Sequence, residues 1–283
     1  MSRLGIAIMA YNRPHYLARC LETLVANDLT DADVHLWQDG NVDAIRRTQL
    51  CSVDSIDESV SVFERAGLQS ATVHRSDLNL CCAAQRAQLM PYMAERYETF
   101  ICMDNDVVLS PWAIHHMRTL FAQYAGDGRT GSISPGFKLE CPRGEERKHR
   151  DKVKYTRGHF WCEGWWRDTW ARVWPWYEAY YERVRHVPYR DIGTMHAQIQ
   201  EWSHGLGLEG EYAAGPSSDT ALARGLILAG YERMRFCVNR ATGIGDEGLH
   251  CYPELMAKLG AGHQPIHTWD DEGGIMRFEL VTP

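Results

Sequence analysis

The run Leu4–Ala10 (LGIAIMA) carries no polar side chain, ends in Tyr11-Asn12-Arg13-Pro14, and is followed by Tyr16, Leu17, Cys20, Leu21 and Leu24 at helical spacing. A strand without polar alternation must be covered on both faces, so it demands a layer of helices above and below it. Pro14 suits the first turn of the following helix, where its missing N–H removes no hydrogen bond. The same unit then repeats. Val34–Trp37 closes in Gln38-Asp39-Gly40-Asn41, a helix over Ser59–Ala66 leads to a strand at Ala71–His74, and Asn79–Glu95 places Leu80, Ala83, Ala84, Ala87, Leu89 and Met90 on one face before a fourth strand at Phe100–Met103. This alternation predicts an α/β fold, Rossmann-like, with a mixed, mostly parallel central sheet flanked by helices.

In such sheets ligands bind outside the carboxyl ends of the strands. Three of the four strand ends carry polar clusters: Asn12-Arg13, Gln38-Asp39-Gly40 and Asp104-Asn105-Asp106. The last belongs to FICMDNDVVLSP (Phe100–Pro111), in which two carboxylates at i and i+2 on an extended chain point the same way. Buried carboxylates are costly unless paired or bound to a cation, so this strand end is a candidate divalent-metal site of hard oxygen ligands. Neither a GxGxxG fingerprint nor a Walker A loop follows the first strand, so phosphate binding by a glycine loop is not expected.

Beyond Pro111 the pattern predicts a helix over Ala113–Tyr124, a glycine-rich turn and a strand at Ser132–Pro135. Arg143–Gly158 is charged and aperiodic and reads as a solvent-facing excursion. His159–Trp176 holds six tryptophans, which fits either an aromatic core or a stacking surface for sugar faces or nucleobases. Tyr177–Arg185 reads as helical, and Asp191–Gly215 has no clear pattern. A helix over Thr220–Ala229 is opened by Asp219, with Ser217 or Ser218 as cap, and ended by Gly230. Tyr231–Val238 is strand-like, Asn239–Cys251 (NRATGIGDEGLHC) a loop with two carboxylates and His250, and the polar tail from Gly260 has no placement.

A net charge of −7 excludes a general nucleic-acid binder. There is no uninterrupted apolar stretch of about 18 residues, so no membrane span is expected, and the N-terminus lacks the pattern of a secretory leader. Nine cysteines, an odd number without a CxxC pair, fit reduced thiols in a cytoplasmic protein better than a disulfide framework or a structural zinc site.

The ordered motifs IAIMAYNRPHYLARCLETL (Ile6–Leu24), WQDGN (Trp37–Asn41), FICMDNDVVLSP, EGWWRDTW (Glu163–Trp170) and SDTALARGLILAGY (Ser218–Tyr231) resemble nucleotide-sugar glycosyltransferases of GT-A fold. The patterns are similar to those of glycosyltransferase family 2 and of N-acetylglucosaminyltransferase I-like enzymes. The resemblance covers roughly residues 4–250. It implies one domain over 1–283, with 1–111 the nucleotide-binding half, 112–260 the acceptor-binding and catalytic half, and 261–283 a tail.

It further implies a UDP-sugar donor, a carbohydrate or small-molecule acceptor, and transfer with inversion assisted by Mn²⁺ or Mg²⁺. Ala10, Tyr11, Asn12 and Arg13 would line the nucleotide site, Asp39 would contact the base or ribose, and Arg86 would meet the base or diphosphate. Asp104-Asn105-Asp106 stands at the family's DxD motif, with Asp106 the direct metal ligand, Asp104 toward the ribose or metal, and His250 a further ligand. Asp219 fits the family's catalytic base at a helix start, although Ser218 stands where Glu or Asp is common; Asp168 is the reserve. The alternatives are a sugar-nucleotidyltransferase, which usually carries a Gly-rich basic loop after its first strand, and a non-catalytic carbohydrate-binding protein on a degenerate transferase scaffold.

Overall fold

The structure is a computed structural model and describes residues 3–156, 161–247 and 265–281. The chain opens β1 (Leu4–Ala10), α1 (Pro14–Val25), β2 (Ala32–Gln38), β3 (Val42–Asp43), α2 (Val53–Glu64), β4 (Ala71–Arg75), β5 (Leu78–Asn79), α3 (Cys81–Arg96), β6 (Thr99–Asp104) and β7 (Val107–Leu109). It continues α4 (Ala113–Gln123), β8 (Thr130–Ser134), β9 (Lys152–Thr156), β10 (Cys162–Trp166) and α5 (Arg167–Val184). After a 3₁₀ turn at Tyr189–Met195 come α6 (His196–Gly205), α7 (Glu211–Ala214), α8 (Ser218–Leu228), β11 (Glu232–Phe236), β12 (Ala241–Gly243) and, late in the tail, β13 (Glu279–Leu280).

Nine strands form one sheet in the order β13-β9-β11-β8-β10-β6-β1-β2-β4. The neighbours β4, β2, β1 and β6 are all parallel, as the strand–helix alternation requires. β10 enters antiparallel between β6 and β8, which makes the sheet mixed but mostly parallel. Every residue of β1 is buried because both faces are covered: Ile6 and Ile8 face a core with Leu17, Phe63 and Met117, while Ala7 and Met9 face one with Met90, Trp170 and Tyr177.

One expectation changes, and two open readings gain a place. Arg143–Gly158 is not simply an excursion, since it contains β9, paired with β11 and β13. Val153 in β9 is buried while Lys154 reaches Glu140; the charges mask an alternating strand. The tryptophans are largely core. Trp165 and Trp170 are buried edge-to-face at a centroid separation of 5.5 Å, and Trp161, Trp166 and Trp174 pack partly buried against the two cores. The tail also has a place: Phe278 is buried, and Glu279 and Leu280 pair with β9. Among the described residues no helix is long and apolar enough to cross a membrane.

Candidate active site

The carboxyl ends of β1, β2 and β6 adjoin by register, with Ala10 opposite Gln38 and Met9 opposite Asp104. The β6 tip is closed by backbone bonds: Asp104 N–H donates to Trp161 O at 2.8 Å and Asn105 N–H to Met9 O at 3.0 Å. Asn105 is buried in this turn, its Nδ2 without a hydrogen-bond partner among the described residues, while the flanking carboxylates face the outer edge, Asp104 at 25% and Asp106 at 17% side-chain exposure.

Two arginines answer these acids. Arg13, at the head of α1, lies 3.1 Å from Asp106 Oδ2, and its Nη1 also donates to Glu247 O at 3.1 Å. Arg86, buried on α3, has Nη2 3.7 Å from Asp104 Oδ1, while its Nη1 pairs with Asp219 and donates to Ser218 Oγ at 2.7 Å. One guanidinium therefore bridges the DxD strand and the start of α8. Ser217 caps that helix by accepting from Thr220 N–H at 3.2 Å, which leaves the Asp219 carboxylate available to Arg86. Ser218 supplies an uncharged acceptor to the same arginine.

Burial is the main influence on the acids. It pushes Asp104 up to about 7, helped by Asp106 and Asp219 and opposed by Arg86. Asp106 is raised as well, with Arg13 opposing. Two desolvated carboxylates that repel each other and retain open edges are a donor set that a hard divalent cation would stabilise. The residues thus fit such an ion, with Asp104 and Asp106 as its oxygen donors. Among the described residues no group of three or more His, Cys, Asp or Glu is assembled for a metal, and His250 lies outside the described residues.

The loop after β11 forms the other wall. Its β12 pairs antiparallel with β7, immediately after the DxD turn, and Ile244 N–H donates to Asp106 O at 2.8 Å. A Cβ on Gly245 would overlap Asp106 Oδ2, so only glycine admits the carboxylate there. Tyr16 on α1 donates to Asp246 and fastens this loop to α1. The glycines and acids of NRATGIGDEG signalled such a loop; its contact with Asp106 could not be read locally.

Asp39 is buried at the end of β2, where its two oxygens accept from Leu80 N–H at 2.6 Å and Cys81 N–H at 2.9 Å. It caps the entry to α3, where Cys81 adopts a left-handed φ of 60°. Burial raises it to about 7 against the backbone donors. Ala10 O accepts from Asp39 N–H at 2.8 Å and Tyr11 O from Gln38 Nε2 at 2.7 Å, so this stretch contributes backbone structure; Asn12 follows, half-buried.

The structure brings Arg13, Arg86, Asp104, Asn105, Asp106 and Asp219 together. It places Asp168 elsewhere: Asp168 is exposed in the first turn of α5, just after Trp166, which pairs with Thr99 at the opposite end of β6 from Asp104. Sequence reasoning passed over the buried Glu163–Arg233 pair, whose partners sit on different strands.

No family model matches the chain, and no curated protein does. Among solved structures, S. aureus TarS 1-349 in complex with UDP is 13% identical with a TM-score of 0.42, covering 58% of this chain and 47% of that one. The mannosyltransferase PcManGT from Pyrobaculum calidifontis, in complex with GDP-Man and Mn²⁺, is 12% identical with a TM-score of 0.41, covering 80% of this chain and 69% of that one. The chain spans about half the length of the TarS fragment. At these identities the likeness is one of outline and extends to no residue of the site.

Proposed function

We propose that the chain is a metal-dependent glycosyltransferase that moves a sugar from a nucleotide-sugar, a UDP-sugar in the first instance, to an acceptor hydroxyl with inversion. One observation carries the proposal: the buried Arg86 pairs with Asp219 while lying 3.7 Å from Asp104, so a strand-end DxD acid and a helix-start acid share one small site. The motif order supports the same reading.

Asp104 and Asp106 would hold Mn²⁺ or Mg²⁺, which as a Lewis acid stabilises charge developing on a departing diphosphate. Asp219 is the candidate base, and the positive charge of Arg86 favours its ionised form, which a base needs in order to accept the acceptor hydroxyl's proton. Ala10 to Arg13 and Asp39 frame the nucleotide end. Arg13, beside Asp106, is the cation available to a phosphate oxygen. His250 remains a proposed further ligand and Asp168 the reserve base, the latter disfavoured by its position.

The test is nucleoside-diphosphate release from a panel of nucleotide-sugars with Mn²⁺. Wild type should turn over at least one donor, Asp106→Ala should lose metal-stimulated turnover, and Asp219→Asn should lose turnover while still binding donor. Full activity in Asp106→Ala would overturn the proposal.

A further inference from the structure

The tail contributes an ion pair that no described residue of the site touches directly. Glu272 and Arg240 pair with both side chains at 0% exposure. Such burial is costly, and it is tolerated only when the remaining donors and acceptors are satisfied. Here most are, Arg240 Nε being the exception. Arg240 Nη1 donates to His267 O at 2.9 Å and Nη2 to Arg150 O at 2.8 Å. Glu272 Oε2 accepts from Trp269 N–H at 3.2 Å, and its carbonyl accepts from His116 Nε2 on α4 at 3.2 Å.

Arg240 is also the residue immediately before β12. Its carbonyl accepts from Ser110 N–H at 2.7 Å, and β12 then runs along β7 to deliver Ile244 to the Asp106 carbonyl and Gly245 to the Asp106 carboxylate. The path from Glu272 to Asp106 is therefore one ion pair and one short two-stranded ladder. Apolar residues of equal volume often fill such a space at no loss of stability, so a retained, multiply bonded pair is suited to fixing the orientation with which the loop meets the turn.

We infer that Glu272 is a positioning residue: through Arg240 it sets the register of the Asn239–Glu247 loop against Asp106 and so tunes the site for a divalent cation and nucleoside diphosphate. This rests on the transferase reading for the ligand, but not for the loop.

The test uses the full chain and two readouts: amide hydrogen exchange at Ile244 without ligand, and titration of UDP and of GDP in the presence of Mn²⁺. The variants are Glu272→Gln, which leaves Arg240 without its charge partner, and the double variant Arg240→Met/Glu272→Met, which removes both charges and keeps the volume. The double variant guards against a single variant that does not fold. Glu279→Gln, on the same tail but pairing at the surface with Lys152, is the control and should match wild type.

In the double variant, thermal stability close to wild type together with Ile244 exchange accelerated about tenfold or more and Mn²⁺-dependent nucleotide affinity reduced about tenfold supports the inference. Wild-type exchange at Ile244 in a folded double variant overturns it. If the wild-type chain binds no nucleotide with Mn²⁺, the transferase reading fails, and the exchange result alone decides the positioning.

Discussion

Arg86 and Asp219 stand 133 positions apart and meet in one buried ion pair, with the arginine 5% and the acid 22% exposed at the side chain. The contact ties α3 to α8 beside the DxD strand. Removing the arginine strands two acids, because Asp104 loses its nearest cation as well. Arg86→Met should therefore destabilise the fold by about 3–5 kcal/mol, the cost of breaking a buried pair. Urea unfolding measures it; a loss below about 1 kcal/mol, the value of a surface pair, would show that the contact is not a structural link.

Gly245 separates function from folding. Its backbone has an ordinary φ, so the obstacle to a side chain is only the space taken by Asp106. Gly245→Ala should leave the melting temperature within a few degrees of wild type, while Mn²⁺-dependent nucleotide binding falls by about tenfold or more as the carboxylate is displaced. Equal loss of stability and binding would place the residue in the fold rather than in the site.

A buried histidine gives the pH dependence. His35 Nδ1 lies 3.1 Å from His74 Nε2 and His35 Nε2 lies 2.7 Å from the Tyr97 hydroxyl, which donates to Asp33 at 3.2 Å. Burial, followed by His74, depresses His35 to about 4, with Asp33 opposing. The unfolded chain then takes up the proton first, near pH 6.5, so this residue costs stability as the pH falls from there toward 4. At pH 5 the cost is about 2 kcal/mol relative to pH 7. Unfolding at the two values should show a smaller pH difference in His35→Gln than in wild type; an unchanged difference would mean that the imidazole is already protonated in the fold.

The tryptophan-rich segment tests packing against recognition. Trp170 is buried between Trp165, Trp174 and Tyr177, so Trp170→Ala should cost about 3–5 kcal/mol. Nucleotide binding measured well below the lowered melting temperature should survive. A binding defect without a stability loss would instead assign the ring to a ligand.

The inner strands of the parallel half were readable because β1 and β6 are covered on both faces, and unbroken apolar runs such as Leu4–Ala10 report that burial directly; β4, the edge strand with no fully buried residue, was readable only from the strand–helix alternation. The DxD turn was readable in the same way as the inner strands: polar residues interrupt such a run only where it leaves the core. β9 was not, since Lys152 and Lys154 reach Glu279 and Glu140, and only Val153 and Tyr155 keep the inward alternation. Asp39 and Arg86 were identified as site residues, but the helix entry that Asp39 caps and the second acid that Arg86 holds depend on where α3 lies against α8. Glu272 had no local signal at all. A lone acid in a polar tail becomes a core residue only once Arg240 has been carried to it.

In the proposed function, Asp104 and Asp106 make a metal-dependent nucleotide site. Calorimetric titration of wild type and Asp106→Ala with UDP- and GDP-sugars, with and without Mn²⁺, tests it most directly. Wild type should bind at least one donor only with Mn²⁺ present, and Asp106→Ala should lose that binding while retaining its fold. Donor binding of equal strength in both proteins, or indifferent to Mn²⁺, would contradict it.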